Sequence, residues 1–194
     1  MPFIYEETIK HIAQVDPDGK LAGQAKTHLD DLTKPQGSLG RLEELALEIF
    51  CIQNTGATTP VQAITADPAR IHTIAGDHGV ARDEKVSLFP REVTRQMVHN
   101  FLAGGAAINV FAKSVGAELV VVDAGCAGDT FPEHPLLVQA KIKQGTDNLA
   151  VAPAMAMEEC GQALDLGISL AHKAAQDGCK TVITGEMGIG NTTP

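Results

Sequence analysis

Three acidic residues share one local setting: Asp77 in AGDHGV, Asp123 in VDAGCAG and Glu186 in GEMGIGN, each at the end of an apolar run and each beside glycine. If those runs are parallel strands, their carboxyl ends form the ligand crevice of an open sheet, and the three carboxylates converge on one edge. Aspartate and glycine are also ordinary turn formers after strands, and for any one of the three that use is the simpler account. The coincidence of all three is what argues for a site. His78, between Asp77 and Gly79, has the chemistry of an acid, a base or a metal ligand. Its separation from His72 along a strand-to-loop path gives no convincing zinc pair, and a hydrogen-bonded loop histidine is the simpler use of it. Neither a metal nor an organic cofactor is expected.

The segment Gly185–Thr193 adds a second signal. Gly185, Gly188 and Gly190 allow backbone amides to approach an anion, and Asn191, Thr192 and Thr193 have the side chains to cap a helix opening at Pro194. Strand, glycine loop and helix start together make a phosphate cradle, because unpaired amides and the helix dipole both favour negative charge. The missing lysine excludes a Walker loop, and the glycine spacing is not that of a dinucleotide fingerprint. On spacing alone a structural turn fits as well. Ser87 lacks the surroundings of a nucleophile elbow. Phe89, Pro90, Val93 and Met97 have the apolar character of a wall for a planar ligand, although Val93 and Met97, four apart on a helical face, also suit a core.

The elements that must position these residues are an α/β series. Ile71–Ala75, Leu119–Val122 and Thr181–Thr184 read as buried strands rich in β-branched residues, with a weaker strand at Gln139–Lys143. Helices are predicted over Pro90–Ala103 and Ala106–Val115, split by Gly104–Gly105, and over a third stretch whose apolar positions run from Cys160 to Ala174 and which ends at Gly178. Strands alternating with amphipathic helices imply βαβ units and a mostly parallel, Rossmann-like sheet with flanking helices. Residues 1–60 read instead as an N-terminal helical segment, with a turn at Pro35, Gly37 and Gly40 and then a buried stripe of Leu39, Leu42, Leu45, Ala46, Ile49 and Phe50. The polar Gln53–Pro60 connects it to an α/β domain over 61–194.

Composition narrows the function classes. The 194 residues, 44% of them hydrophobic, suit one domain with a helical extension, and no apolar run reaches the length needed to cross a bilayer. Acidic residues outnumber basic ones 24 to 15, and the net charge of −9, with no basic cluster, argues against nucleic acid as a partner. MPFIYEETIK carries acids where an export signal carries positive charge, so a cytoplasmic protein is expected. Cys51, Cys126, Cys160 and Cys179 form no C-x-x-C pair and are expected as reduced, buried thiols.

KPQGSLGRLEELA (Lys34–Ala46), AGDHGV (Ala75–Val80), FPREVTRQMVHNFLAGGAAINVFA (Phe89–Ala112), VVDAG (Val121–Gly125) and GEMGIGNTTP (Gly185–Pro194) together resemble the nicotinate-nucleotide–dimethylbenzimidazole phosphoribosyltransferases. The resemblance runs in order from Lys34 to the last residue. It implies transfer of phosphoribose from nicotinate mononucleotide to 5,6-dimethylbenzimidazole, giving α-ribazole 5′-phosphate for the lower nucleotide of cobalamin, in a homodimer. It also implies a phosphate site at Gly188, Ile189, Gly190, Asn191 and Thr192, a benzimidazole-type base against Phe89, Pro90, Val93 and Met97, and an auxiliary catalytic place for Glu186. Asp77, His78 and Asp123 remain a possible sheet-edge site with no assigned role. Some members of the family carry polar side chains at the positions of Phe89 and Met97, so the pocket here is more apolar.

Members of that family continue past the NTTP motif and supply their principal general base, a glutamate, from the carboxy-terminal half. The expectation is therefore an amino-terminal part with an incomplete sheet, an exposed apolar edge and no base exchange of its own. The rival reading is a non-catalytic nucleotide-binding or assembly module derived from the same enzyme. A kinase-like enzyme, suggested by the glycine loop alone, is disfavoured by the missing lysine and metal-ligand pattern.

Overall fold

Three apolar runs too short for helices and rich in valine, isoleucine and threonine supply the sheet, and each forms a parallel strand. The computed structural model describes residues 3–13, 15, 19–57 and 63–193. Its elements are α1 (Ile4–Lys10), α2 (Lys20–Asp31), α3 (Arg41–Asn54), β1 (Ala69–Gly76), α4 (Gly79–Asp83), α5 (Val93–Leu102), α6 (Ala107–Val115), β2 (Glu118–Gly125), β3 (Leu137–Gln139), α7 (Met157–Gln176) and β4 (Thr181–Met187). The strands form one all-parallel sheet in the order β3-β2-β1-β4. β3 starts before the segment expected to form it and ends at that segment's first residue: only Leu137–Gln139 pairs in register, with Val121–Asp123. Strand-like bonding nevertheless continues, Ala140 N–H donating to Asp123 O and Ile142 N–H to Ala124 O, both at 2.9 Å.

Alternation of side chains along β1 and its neighbours creates two chemically different faces. On one, Ala75 and Val121 pack with Val98 and Phe101 of α5, Ala106, Cys126 and Phe131, while Met97 and Met187 cover the margin. Farther along the same strands, Ile71 and Leu119 pack with Ala112 of α6. The link between α5 and α6 is held by Asn109, whose Nδ2 donates to Phe101 O at 2.9 Å while its Oδ1 accepts from Ala106 N–H at 3.1 Å. The expected helix from Pro90 starts at Val93, because Pro90 and Arg91 contribute only carbonyl acceptors to its first turn.

β4 is an edge strand of this sheet, and Val182 and Ile183 on it are exposed. Such an edge offers unpaired backbone groups and apolar surface to a further strand. At the amino end of the strands, Arg70 is nearly buried and joins Glu118 at 2.6 Å and Asp177 at 2.9 Å, tying the start of β2 to the end of α7. Residues 3–8 belong to this α/β unit: the Ile4 and Tyr5 amides donate to Asp165 of α7 at 3.0 and 2.8 Å.

Ile9–Thr65 form a separate helical unit, so the helical segment begins after the first eight residues and runs to Thr65. Within it α2 packs on α3, and the turn between them is tied by Glu43, which accepts from Leu39 N–H at 3.1 Å and pairs with Lys34 at 2.8 Å. Gly37 and Gly40 both take positive φ there, as a turn of this tightness requires. The stripe expected to be buried on α3 is largely open: Leu39, Leu42 and Leu45 are exposed, and Ala46, Ile49 and Phe50 are half-buried. The small buried face of α2, Ala22 and Ala25, is shorter than the stripe. The polar connection is described as far as Ala57; Thr58, Thr59 and Pro60 lie outside the described residues. Among the described residues no helix is long and apolar enough to cross a membrane. All four cysteines are free, with Cys51 and Cys126 buried and Cys160 and Cys179 only half-buried.

Candidate functional site at the carboxyl edge

The second face of the sheet carries the cavity. About 650 Å3 opens at the carboxyl ends of the strands, against Ile74, Ala124, Thr184 and Glu186. These side chains share a face because Ile74 pairs in register with Glu186 and with Val122, two residues before Ala124. Opposite them stand Glu159 and Ala163 from the first turns of α7, with Met155, Ile142, Lys143 and Thr146 from the preceding loop. Asp77 and His78, following β1, and Asn191 of the glycine loop complete the wall. Four expected residues, Asp77, His78, Glu186 and Asn191, therefore meet at one cavity.

Asp123 does not join them. It pairs with Ala75, one register position from the Ile74–Glu186 pair, so its side chain leaves the opposite face of the sheet. There it is almost wholly buried, its Oδ1 accepting from Cys126 N–H at 2.8 Å and its Oδ2 lying 3.4 Å from Lys141 Nζ. Asp123 thus anchors a turn, as its type and position also allow. Asp77 anchors the same turn from the β1 side, accepting from Ala127 N–H at 2.7 Å, while its carbonyl receives Thr146 N–H at 2.9 Å. Burial first, and then the nearby Asp123 and Asp77, push the Cys126 thiol up to about 12, so it stays protonated at neutral pH and is no nucleophile. Among the described residues no cluster of three or more histidine, cysteine or acidic side chains has the arrangement of a metal site.

The glycine loop runs from the cavity to α5. Asn191 Nδ2 donates to Glu186 Oε2 on the cavity side. Ile189 N–H donates to Thr94 Oγ1 of α5 at 3.0 Å, and Thr94 is fully buried. Asn191 N–H closes on Gly188 O and Thr193 N–H on Gly190 O, each at 3.0 Å. The donors in these bonds are alternate amides, which leaves those of Gly188, Gly190 and Thr192 outside the loop's own turn bonding. Gly190 has φ +85°, and a Cβ on it would lie 2.8 Å from Ala81 Cβ, so no other residue fits there without displacement. Pro194, where a helix was expected to open, lies outside the described residues.

This wiring predicts a measurable stability effect. Thr94→Val keeps the shape but takes the acceptor from the half-buried Ile189 N–H, which costs about 1 kcal/mol. A fall in melting temperature of about 3 °C or more, read by thermal denaturation, is the expected result.

None of Phe89, Pro90, Val93 and Met97 lines the cavity. Met97 packs against the α5 core cluster, Val93 is half-buried on the same helix, and Phe89 and Pro90 are exposed just before it. Met97 therefore lies toward the α5 face of the sheet and the cavity toward the other.

The far wall is built from residues outside the expected site. Lys143 is the only lysine or arginine lining the cavity among the described residues, and it is fixed by Asp147 at 2.5 Å and Glu159 at 3.4 Å, contacts that raise its affinity for its proton, Asp147 most. Glu159 also accepts from Ala156 N–H at 2.8 Å, which caps α7. The acidic start of that helix was the one available signal. His78 is half-buried, and burial holds its imidazole below the ordinary histidine range, opposed by the carboxylates of Asp77 and Glu186.

A crevice at the carboxyl ends of parallel strands, walled by carboxylates and entered by a glycine loop in which, among the described residues, the Gly188, Gly190 and Thr192 amides donate to no turn bond, suits a phosphorylated small molecule. The phosphoribosyltransferase family matches residues 15–194. A nicotinate-nucleotide–dimethylbenzimidazole phosphoribosyltransferase of Oleidesulfovibrio alaskensis is 62% identical over 189 residues, 97% of this chain and 51% of that protein. The protein of the same name from Nitratidesulfovibrio vulgaris (strain DP4) is 58% identical over 177 residues, 91% and 48% of the two chains. The crystal structure of the nicotinate-nucleotide–dimethylbenzimidazole phosphoribosyltransferase from Thermus thermophilus matches with a TM-score of 0.81 at 44% identity, covering 91% of this chain and 51% of that one. The chain spans about half the length of the curated relatives it matches. With so much of it matched by one family model and by relatives of one name, the chain belongs to the nicotinate-nucleotide–dimethylbenzimidazole phosphoribosyltransferase family.

Proposed function

We propose that this chain supplies the phosphate loop and the Glu186 wall of a site that moves phosphoribose from nicotinate mononucleotide to 5,6-dimethylbenzimidazole. The observation that carries the reading is the joining of Glu186 to Asn191 of the glycine loop at the mouth of the cavity. In the reaction an imidazole nitrogen bonds to ribosyl C1′ as the bond from C1′ to the nicotinate nitrogen breaks, and that electron pair leaves with nicotinate. The proton of the other imidazole nitrogen passes to a base. Carboxylate charge near C1′ stabilises the oxocarbenium character of the sugar, which is the use proposed for Glu186.

The amides of Gly188, Gly190 and Thr192, with Ile189 and Asn191 shaping the turn, are proposed to receive the 5′-phosphate. The base is proposed to lie on the α5 side against Phe89, Pro90, Val93 and Met97. The bond from Ile189 to Thr94, which adjoins Val93, ties the two subsites together. A cytoplasmic homodimer goes with this reading, and so does a principal general base supplied from outside this chain. Titration calorimetry with nicotinate mononucleotide, run beside a base-exchange assay with dimethylbenzimidazole, tests it. Binding without turnover is expected. Absence of binding contradicts the substrate assignment, and robust turnover contradicts the external base.

A further inference from the structure

His78 lines the cavity, yet neither the phosphate loop nor the transfer step has so far used it. Among the described residues its ring nitrogens take part in no hydrogen bond, and the ring stands directly over the glycine loop. A Cβ on Gly188 would lie 2.8 Å from His78 Nε2 and 2.9 Å from Cδ2. The absent side chain is thus what admits the imidazole, whose Nε2 edge stands beside Gly188 of the glycine loop.

We infer that His78 is a ligand of the phosphate received by the glycine loop, sharing it with the Gly188 amide. The inference rests on the reading of that loop as a phosphate site. Electrostatics give the residue a purpose there. Asp77, Glu159 and Glu186 line the cavity against the single lysine, Lys143, whose charge is already engaged by Asp147 and Glu159. A dianion entering this acidic space needs a further donor that adds positive charge only when the anion arrives. Histidine is the side chain able to do so near neutral pH. Asp77 and Glu186 beside it, and Lys143 and Glu159 across the cavity, are the charged groups facing it.

The sign follows from linkage. Burial keeps the imidazole of the free protein below the ordinary histidine range, and a bound phosphate favours the imidazolium and raises it. Phosphate affinity therefore rises as pH falls through the bound-state pKa towards the free-state pKa, and this gain is absent well above the bound-state pKa.

The test is NMR titration of the His78 imidazole in the full chain, without ligand and with saturating nicotinate mononucleotide. The expected result is an upward shift of the His78 midpoint by about one pH unit, together with movement of the Gly188 and Gly190 amides. Affinity should be several-fold higher at pH 6 than at pH 8, and His78→Gln, which keeps a neutral donor, should remove that dependence while the amides still respond. Inorganic phosphate should reproduce the shift and free nicotinate should not; the reverse overturns the assignment to the phosphate group. An unmoved His78 midpoint with responding loop amides overturns the inference and leaves the phosphate loop standing. Silence from His78 and the amides alike overturns the loop reading, and the inference with it.

Discussion

Gly188→Ala is expected to weaken nicotinate mononucleotide binding by about 100-fold or more, equivalent to about 2.7 kcal/mol. The new Cβ would lie 2.3 Å from the carbonyl oxygen of Gly76, which is backbone at the end of β1 and cannot give way without distorting the central strand. His78, the second obstacle at 2.8 Å, can rotate, but only by leaving its place over the loop. Relief therefore has to come from the loop, which carries the Gly188 amide away from the anion and strains the bonds from Ile189 to Thr94 and from Asn191 to Glu186. Overpacking of this kind also destabilises the fold by about 1–3 kcal/mol. Gly167→Ala is the matched control: nothing lies within 4 Å of its added Cβ, it is in the middle of α7, and a gain of about 0.5–1 kcal/mol with unchanged binding is expected. Calorimetry and thermal melts on the two variants check both halves of the prediction.

The second large effect is on stability. Phe131→Ala is expected to cost about 3–5 kcal/mol and to lower the melting temperature by about 10 °C. The ring is 2% exposed and belongs to the cluster of Ala75, Val98, Phe101, Val121 and Cys126. Arg95 lies over its face, 4.0 Å from the centroid, and His99 meets its edge at 5.2 Å. Truncation leaves a void and exposes the apolar stem of Arg95 to it, while the guanidinium loses its aromatic neighbour. Phe131→Leu, which fills most of the volume, should lose about half as much or less. A destabilisation under about 1 kcal/mol in urea unfolding of Phe131→Ala would show that the segment after β2 is not part of the core.

These two residues mark the limits of what the sequence makes legible. Gly188 stands in a motif, between a β-branched strand and a polar turn, and its use as a close-approach glycine follows from that setting. Phe131 sits in an irregular segment with no period to read, and only the fold reveals that it plugs the gap between α5 and the end of β2. β1, β2 and β4 are legible because runs of β-branched residues bounded by glycine have few other uses. β3 has only Leu137 and Val138 to announce it, and its place is decided by pairing with Val121–Asp123. On α3 the buried residues, Cys51 and Asn54, lie outside the stripe that periodicity picks out, and most of that stripe stays open because the partner face of α2 is short.

The site divides in the same way. Glu186, Asn191, His78 and Asp77 are legible as strand-end residues, since chain direction in a parallel sheet brings all strand ends to one edge. Which face of that edge each side chain takes depends on register, and a difference of one position separates Asp123 from Glu186. Lys143 reaches the cavity from the segment that continues β3 and Glu159 from the acidic start of α7; strand pattern and helix capping explain both residues in the sequence without pointing to a site.

The central claim is that the glycine loop after β4 holds the phosphate of a nucleotide whose ribose meets Glu186. A crystal structure of the chain with nicotinate mononucleotide tests it most directly. Phosphate oxygens are expected within hydrogen-bonding distance of the Gly188, Gly190 and Thr192 amides, with C1′ on the Glu186 side of the loop. A nucleotide bound elsewhere, with the loop unoccupied at saturating concentration, would contradict it.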